Sequence, residues 1–366
     1  MVSEAATHPA IERPSSAEEV AGILREASAS GAAVVPVGGG RAQGMGAADR
    51  CDVELHITRL DRVLEHSQAD MVVSVEAGIT LEDLQSELAK AGQFLPVDPF
   101  NSPGHTVGGL IATGWTGPLR LRYGSARDFL IGIRVALPSG RIASAGGRVV
   151  KNVSGYDLMK LHHGALGTLG VIVAASFKVF PKPMHDVTVE LPAQPIESAW
   201  AAAAHALNLP LAPAALELFS DGRVLVRFLG SPDAVNRMAG ELDWKPADGS
   251  VWPAHSRRAP ERWARITVPP QRLRQVVEML PDGAEWWASP GVGIAHWAFD
   301  GDGARVVPVR SAAEAAGGAL VLLAAPLALI REIGPWGATP STVDLMRKLK
   351  HAFDPDGVLN PGRFVY

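Results

Sequence analysis

One cysteine, Cys51, is the only thiol in this 366-residue chain. A disulfide framework, a Cys-rich zinc site and an iron–sulfur cluster carried by this chain are thereby excluded, and Cys51 reads as a half-buried structural thiol. Neither sign of charge dominates: 34 Lys and Arg stand against 38 Asp and Glu, a net −4 with histidine neutral. There is no basic footprint for nucleic acid. The N-terminal segment is acidic and polar and lacks an apolar stretch, so no secretory signal is expected, and the expected location is the cytoplasm. The most apolar run, 319–330, is twelve residues long with Pro326 inside it. That is too short to span a bilayer and reads as a buried strand running into a turn. No internal repeat or low-complexity linker interrupts the chain. What remains is 47% hydrophobic and 20% charged, long enough for two domains or for one domain with an inserted lobe.

Glycine is the residue the chain has in quantity, and its placement is informative. After the apolar run Val34-Val35-Pro36-Val37, five of the next nine residues are glycine: Gly38, Gly39, Gly40, Gly44 and Gly46. Such a loop turns backbone N–H groups toward a ligand and lets a bulky anion approach without meeting a Cβ. A P-loop needs a Lys-Ser/Thr pair after its last glycine, and none follows. A nicotinamide fingerprint needs a helix directly behind the glycines. Here an alternating strand pattern, Val53-Glu54-Leu55-His56-Ile57, arrives instead.

The remaining pattern is α+β without a regular βαβ repeat. Ser16-x-x-Glu19 is a capping box opening a helix with Val20, Ile23, Leu24 and Ala27 on one face, ended by Gly31. Thr80-x-x-Asp83 caps a second, with Leu81, Leu84 and Leu88. Strands are expected near 32–37, 53–57, 71–76 and 171–180, with a hairpin over 129–144. Two further glycine clusters follow, one at Gly104 to Gly109 and one from Gly146 to Gly170. Pro181-Lys182-Pro183 marks a boundary. Beyond it, strand-like pieces near 187–191, 224–229, 294–299 and 319–323 alternate with helical pieces near 196–207 and 270–280. This texture predicts an antiparallel sheet covered by helices on one face. Ser341-x-x-Asp344 is expected to cap a last helix with Leu345, Met346, Leu349 and Phe353. Eight of the nine tryptophans lie in the later two-thirds of the chain, and Trp286, Trp287 and Trp297 are candidates for a partner surface.

Pro36-Val37-Gly38-Gly39-Gly40, Thr106-Val107-Gly108-Gly109, Leu137-Pro138-Ser139-Gly140 and Gly164-x-x-Gly167-Thr168-Leu169-Gly170-Val171-Ile172, in that order, resemble the FAD-binding domain shared by vanillyl-alcohol oxidase and p-cresol methylhydroxylase (the PCMH type). The run Val150-Lys151-Asn152-Val153-Ser154-Gly155-Tyr156-Asp157-Leu158 and the tail Phe353-Asp354-Pro355-x-Gly357-x-Leu359-Asn360-Pro361-Gly362 are similar to its 2-hydroxyacid branch, which holds D-lactate dehydrogenases and bacterial glycolate oxidases. The resemblance covers nearly the whole chain. It implies a two-subdomain FAD-binding domain over 1–183, a cap lobe over 184–335, and a C-terminal helix and tail over 336–366 that returns to the first domain. Carried over by motif, Pro36, Gly38, Gly39, Gly40, Arg41, Ala42, Gln43 and Gly44 would hold the FAD pyrophosphate. Thr106, Val107, Gly108, Gly109 and Ala112 would meet the flavin and ribityl side, and Gly170, Val171 and Ile172 the adenosine part. Arg41 departs from the family's usual Thr or Ser. No histidine stands where some relatives attach flavin covalently, so the resemblance implies non-covalent FAD.

Oxidising a 2-hydroxy acid needs a base for the hydroxyl proton and a cationic clamp for the carboxylate. In D-lactate-type relatives these come from a cap run His-x-Gly-Asp-Gly-Asn-x-His, which also holds a metal, and from a later Glu-His-Gly. The corresponding stretch here is Ser289-Pro290-Gly291-Val292-Gly293-Ile294-Ala295-His296. Ser289, Val292 and Ile294 replace the first histidine, the aspartate and the asparagine, and no Glu-His-Gly occurs. No metal site and no catalytic residue is assigned; His296, His162 and His163 read as structural. This pattern resembles the smaller FAD-binding subunits of glycolate oxidases. It implies a larger FAD-linked subunit and an iron–sulfur subunit as partners, a small 2-hydroxy acid as substrate, and at most a peripheral place on the inner membrane face through those partners. A self-sufficient FAD oxidoreductase acting on another small hydroxylated substrate, and a flavin-free scaffold, are the alternatives.

Overall fold

The computed structural model describes residues 8–46, 48–147 and 157–365. The run Val150–Tyr156 lies outside the described residues.

The first lobe is built from two small sheets under one core. Strands Ala10–Glu12, Val53–His56 and Val34–Val37 form a parallel three-stranded sheet with Val53–His56 in the middle. The helix Ala17–Ser30 packs on the lobe's second sheet because its apolar face recurs at helical spacing, with Val20 and Leu24 fully buried. Ser16 caps this helix by accepting from the Glu19 amide, and Gly31 ends it in the left-handed region at φ 69°. The second sheet is antiparallel, in the order Val63–Ser67, Val72–Glu76, Val171–Lys178, Leu130–Ala136, Ile142–Gly146. Val72–Glu76 is buried at every position and is flanked on both sides. Helix Leu81–Ala89, capped by Thr80, closes the core through Leu81, Leu84 and Leu88.

The chain then enters an eight-stranded antiparallel sheet, in the order Lys245–Pro246, His185–Leu191, Val224–Gly230, Ala215–Phe219, Glu285–Ser289, Ile294–Ala298, Trp263–Thr267, Ala319–Ala324. Alternation assigns its faces. Leu216, Leu218, Ala264, Ile266, Trp297 and Leu322 pack under helices Ile196–Leu207, Pro232–Leu242, Pro270–Val277 and Gly303–Ala315. Residues of the opposite parity, including Phe219, Trp263, Trp287 and Leu323, turn to the first lobe and meet Met45, Phe100 and Trp115. One helix-covered face agrees with the sequence pattern. Several strands escaped it: Ala215–Phe219 is buried throughout and shows no hydrophobic alternation.

Two local expectations are corrected. Trp286, Trp287 and Trp297 are buried (8%, 0% and 2% exposed), so they are core and present no partner surface. The last helix, Val343–Phe353, begins after Thr342, and neither Ser341 nor Thr342 makes a side-chain cap. The segment behind that helix returns to the first lobe. Asn360 donates its amide to the Val34 carbonyl, Val34 donates to Val358, and a parallel bridge joins Val34 to Leu359.

Candidate functional site

The first two glycine loops and the third cluster converge on one groove of about 650 Å³, including its open mouth. Of the residues singled out from sequence, Pro36, Gly38, Gly39, Gly40, Arg41, Ala42, Gln43, Thr106, Gly108, Gly109, Ala112, Gly170, Val171 and Ile172 line it. Two do not. Val107 is fully buried beneath the second loop, and Gly44 faces the second lobe with Ala324 about 3.7 Å from where its Cβ would stand. The fold adds Ile57, His105, Thr113, Leu166, Gly167 and Arg363 to the wall.

The glycines are required by close packing of the loops as much as by a ligand. A Cβ on Gly38 would fall 2.2 Å from Thr106 Oγ1, and one on Gly39 would fall 1.7 Å from the Gly104 carbonyl oxygen. Gly40 needs the left-handed region, at φ 72°. The backbone amides then sort the loops by role. Gly108 donates to the Ala77 carbonyl and Gly109 to Thr106 Oγ1. The amides of residues 39–44 donate to no protein group among the described residues. A run of unspent N–H groups at the wall of a groove is an anion cradle. Beside it Arg363 donates to the carbonyls of Met45 (3.1 Å) and Ala42 (2.6 Å) and to Gln43 Oε1 (3.0 Å), all neutral acceptors. Burial pushes its guanidinium down to about 10, which leaves it charged at neutral pH. These features fit a dinucleotide diphosphate.

Where the groove meets the second lobe, the space is filled. His105 donates Nε2–H to the Phe100 carbonyl and packs on Trp115 at 5.2 Å. Burial, countered in part by that bond, pushes its pKa down to about 4. Trp115 meets Trp263 at 5.4 Å, and Trp263 meets both Trp287 and His296. His296 accepts at Nδ1 from Trp263 Nε1–H (3.0 Å) and stacks on Trp287 with 13° between the rings. Burial, aided by the nearby Arg265 charge, holds it well below its ordinary value and therefore neutral. His296 is thus spent on structure. Ser289 donates to the fully buried Glu217, whose other oxygen faces His255 Nε2 at 3.4 Å. Asp98, half-buried at the wall of a neighbouring cavity and held by the Leu119 amide, has its carboxyl pushed up to about 8 by desolvation. Arg265 has no anionic partner among the described residues: its Nε is buried with no acceptor, and burial pushes it down to about 10.

Comparison with known proteins agrees with this geometry. The sequence matches the FAD binding domain over residues 9–146 and the C-terminal domain of FAD linked oxidases over residues 331–364. It is 29% identical to glycolate oxidase subunit GlcE of Escherichia coli over 82% of this chain and 84% of that one. Both matched domains and this relative make the chain similar to the PCMH-type FAD-binding family. It is also 33% identical to a D-lactate dehydrogenase of Anaerostipes hadrus over 59% of this chain, but it spans only 46% of that relative. Among solved structures, alkyldihydroxyacetonephosphate synthase superposes with a TM-score of 0.70 over 97% of this chain and 77% of that one, at 18% identity, which shows a shared fold.

Sequence reasoning missed the wall residues that carry no glycine signature. His105 sits one residue before a motif residue and was findable by position. Arg363, Leu166 and Thr113 acquire their place only when distant segments meet.

Proposed function

We propose that this chain is the FAD-binding subunit of a 2-hydroxy-acid oxidase of the glycolate type, accessory to a larger flavoprotein subunit that performs the substrate oxidation. One observation carries the reading: a cradle suited to FAD abuts a cap face where aromatic rings occupy the space a hydroxy acid would need. We assign the amides of residues 39–43 to the diphosphate. Thr106, Gly108, Gly109 and Ala112 are assigned to the flavin and ribityl side, and Gly170, Val171 and Ile172 to the adenosine. Gly44 and Val107 shape the loops from behind. In this reading residues 1–183 form the FAD domain, 184–335 the cap, and 336–366 the return.

Bound FAD supplies a two-electron acceptor for the α-carbon hydride. The protein's own contribution is to hold the cofactor and exclude water. His296 is neutral and already accepts from Trp263, so it offers no free base to a substrate hydroxyl. The partners are a larger FAD-linked subunit and an iron–sulfur subunit, and through them the complex sits on the inner face of the membrane. Among the described residues no helix is long and apolar enough to cross a membrane. Arg265 favours a second reading, a self-sufficient oxidoreductase in which this unpartnered cation receives a substrate carboxylate.

The test is turnover by the purified chain with glycolate or D-lactate and a dye acceptor. We expect flavin bands near about 375 and 450 nm, little turnover alone, and turnover once both partner subunits are added. Robust oxidation by the isolated chain overturns the accessory role and supports the Arg265 reading. A colourless protein that takes up no FAD overturns both.

A further inference from the structure

We propose that Arg363, near the far end of the chain, positions the diphosphate cradle and supplies its electrostatic charge. The proposal deepens the FAD reading above and rests on it. Arg363 grips the carbonyls of Ala42 and Met45 from more than 300 residues away in sequence. A trans peptide is planar, so its C=O and N–H point in opposite directions. Holding the carbonyls of Ala42 and Met45 on the guanidinium therefore turns the following amides, those of Gln43 and Gly46, away from it. Without the grip the loop carbonyls would be free to face the groove, where they would repel a phosphate.

The grip is built tightly. A Cβ on Gly46 would lie 2.4 Å from the Arg363 carbonyl oxygen, and one on Gly362 would lie 1.9 Å from Asp49 Oδ2, so loop and tail are in backbone contact. Asn360 anchors the tail by donating to the Leu166 carbonyl at 2.7 Å, and Leu166 is itself part of the groove wall. Every acceptor of the guanidinium is neutral, and no carboxylate pairs with it among the described residues. A buried cation without a counter-ion at the edge of a groove calls for an anion. The chemistry it fits is a diphosphate, shared by FAD and ADP.

The test titrates the apo full-length chain and its R363K and R363M variants with FAD and with ADP, at about 50 and 500 mM NaCl, where screening differs strongly. Losing a charge-assisted contact predicts that R363M binds both ligands about 30-fold more weakly at low salt and loses most of the salt response. R363K keeps the charge but not the fork that spans two carbonyls. It should fall between the two and retain the salt response. R363M binding FAD within about threefold of the wild type overturns the proposal. So does an equal loss in both variants with an unchanged salt response, which marks a packing defect only. Should R363M fail to fold, R363K decides: affinity within about threefold of wild type for both ligands overturns the proposal. A wild-type chain that binds neither ligand overturns the FAD reading and this inference together, whereas tight wild-type binding with unaffected variants removes this inference alone.

Discussion

Gly39→Ala places one methyl group where the two glycine loops touch. Its Cβ would stand 1.7 Å from the Gly104 carbonyl oxygen and 2.8 Å from the carbonyl carbon. Ordinary contact needs roughly 1.5 Å more, and backbone cannot rotate away as a side chain can. One loop must therefore shift. Overpacking of this kind costs about 1–3 kcal/mol, which lowers the melting temperature by several degrees at roughly 2–4 °C per kcal/mol. The larger effect falls on the ligand. A displacement beyond 1 Å carries N–H donors out of the ~2.7–3.2 Å range of a hydrogen bond. Losing one such bond to a charged phosphate, about 1.5–3 kcal/mol, weakens FAD by about 10- to 100-fold. Gly40→Ala is the control in the same loop. No atom lies within 4 Å of its Cβ position, and only the left-handed φ of 72° resists it, at about 1–2 kcal/mol. The assay is FAD titration with thermal melts of apo and loaded protein. If Gly39→Ala binds FAD as tightly as the wild type while Gly40→Ala loses more, the loop-contact argument is wrong.

Acid should destabilise the protein through its buried histidines. Burial pushes His105 and His162 down to about 4, against about 6.5 for an ordinary histidine. Below pH 6.5 the unfolded chain binds protons that the native state refuses, so stability falls as pH drops from 6.5 toward 4, by up to about 3 kcal/mol per residue at the lower end. Urea midpoints of an Asp98→Asn variant, which lacks the opposing contribution of a carboxyl that burial raises to about 8, should decline from pH 7.5 through 6 to 5, and a flat series would refute the assignment. A second perturbation is Lys350→Met. Lys350 Nζ donates to Asp354 (2.5 Å) and to the carbonyls of Thr168 (2.9 Å) and Leu359 (2.8 Å), and the Asp354 side chain is fully buried. Removing the lysine strands that carboxylate, at about 3–5 kcal/mol. It should also loosen the tail and weaken FAD. A variant that melts with the wild type, with the tail equally resistant to protease, would show that the pair is dispensable.

Much of the local structure is legible in the residues because its determinants are local. Ser16 and Gly31 bracket the first helix through a cap bond and a left-handed turn, each set by one side chain or its absence. The three glycine clusters announce an anion site because only glycine tolerates those approaches. The second lobe is harder to read. Ala215–Phe219 buries both faces and carries Glu217 at its centre, so neither alternation nor a uniformly apolar run marks it. Ser341 looks like a cap by spacing, yet the helix starts two residues later. The cap tryptophans look like surface anchors by type, but both faces of their sheet are covered.

The sequence alone predicts an α+β fold and a cradle for a phosphate-bearing ligand in its glycine loops. Those conclusions rest on residue chemistry that needs no neighbour. Only the tertiary structure decides that Arg363 lines the groove beside the first glycine loop, that the amides of residues 39–44 donate to no protein group among the described residues, and that His296 is bound to Trp263. Each depends on segments far apart in the chain meeting at hydrogen-bond distance, and no spacing along one strand of sequence encodes that.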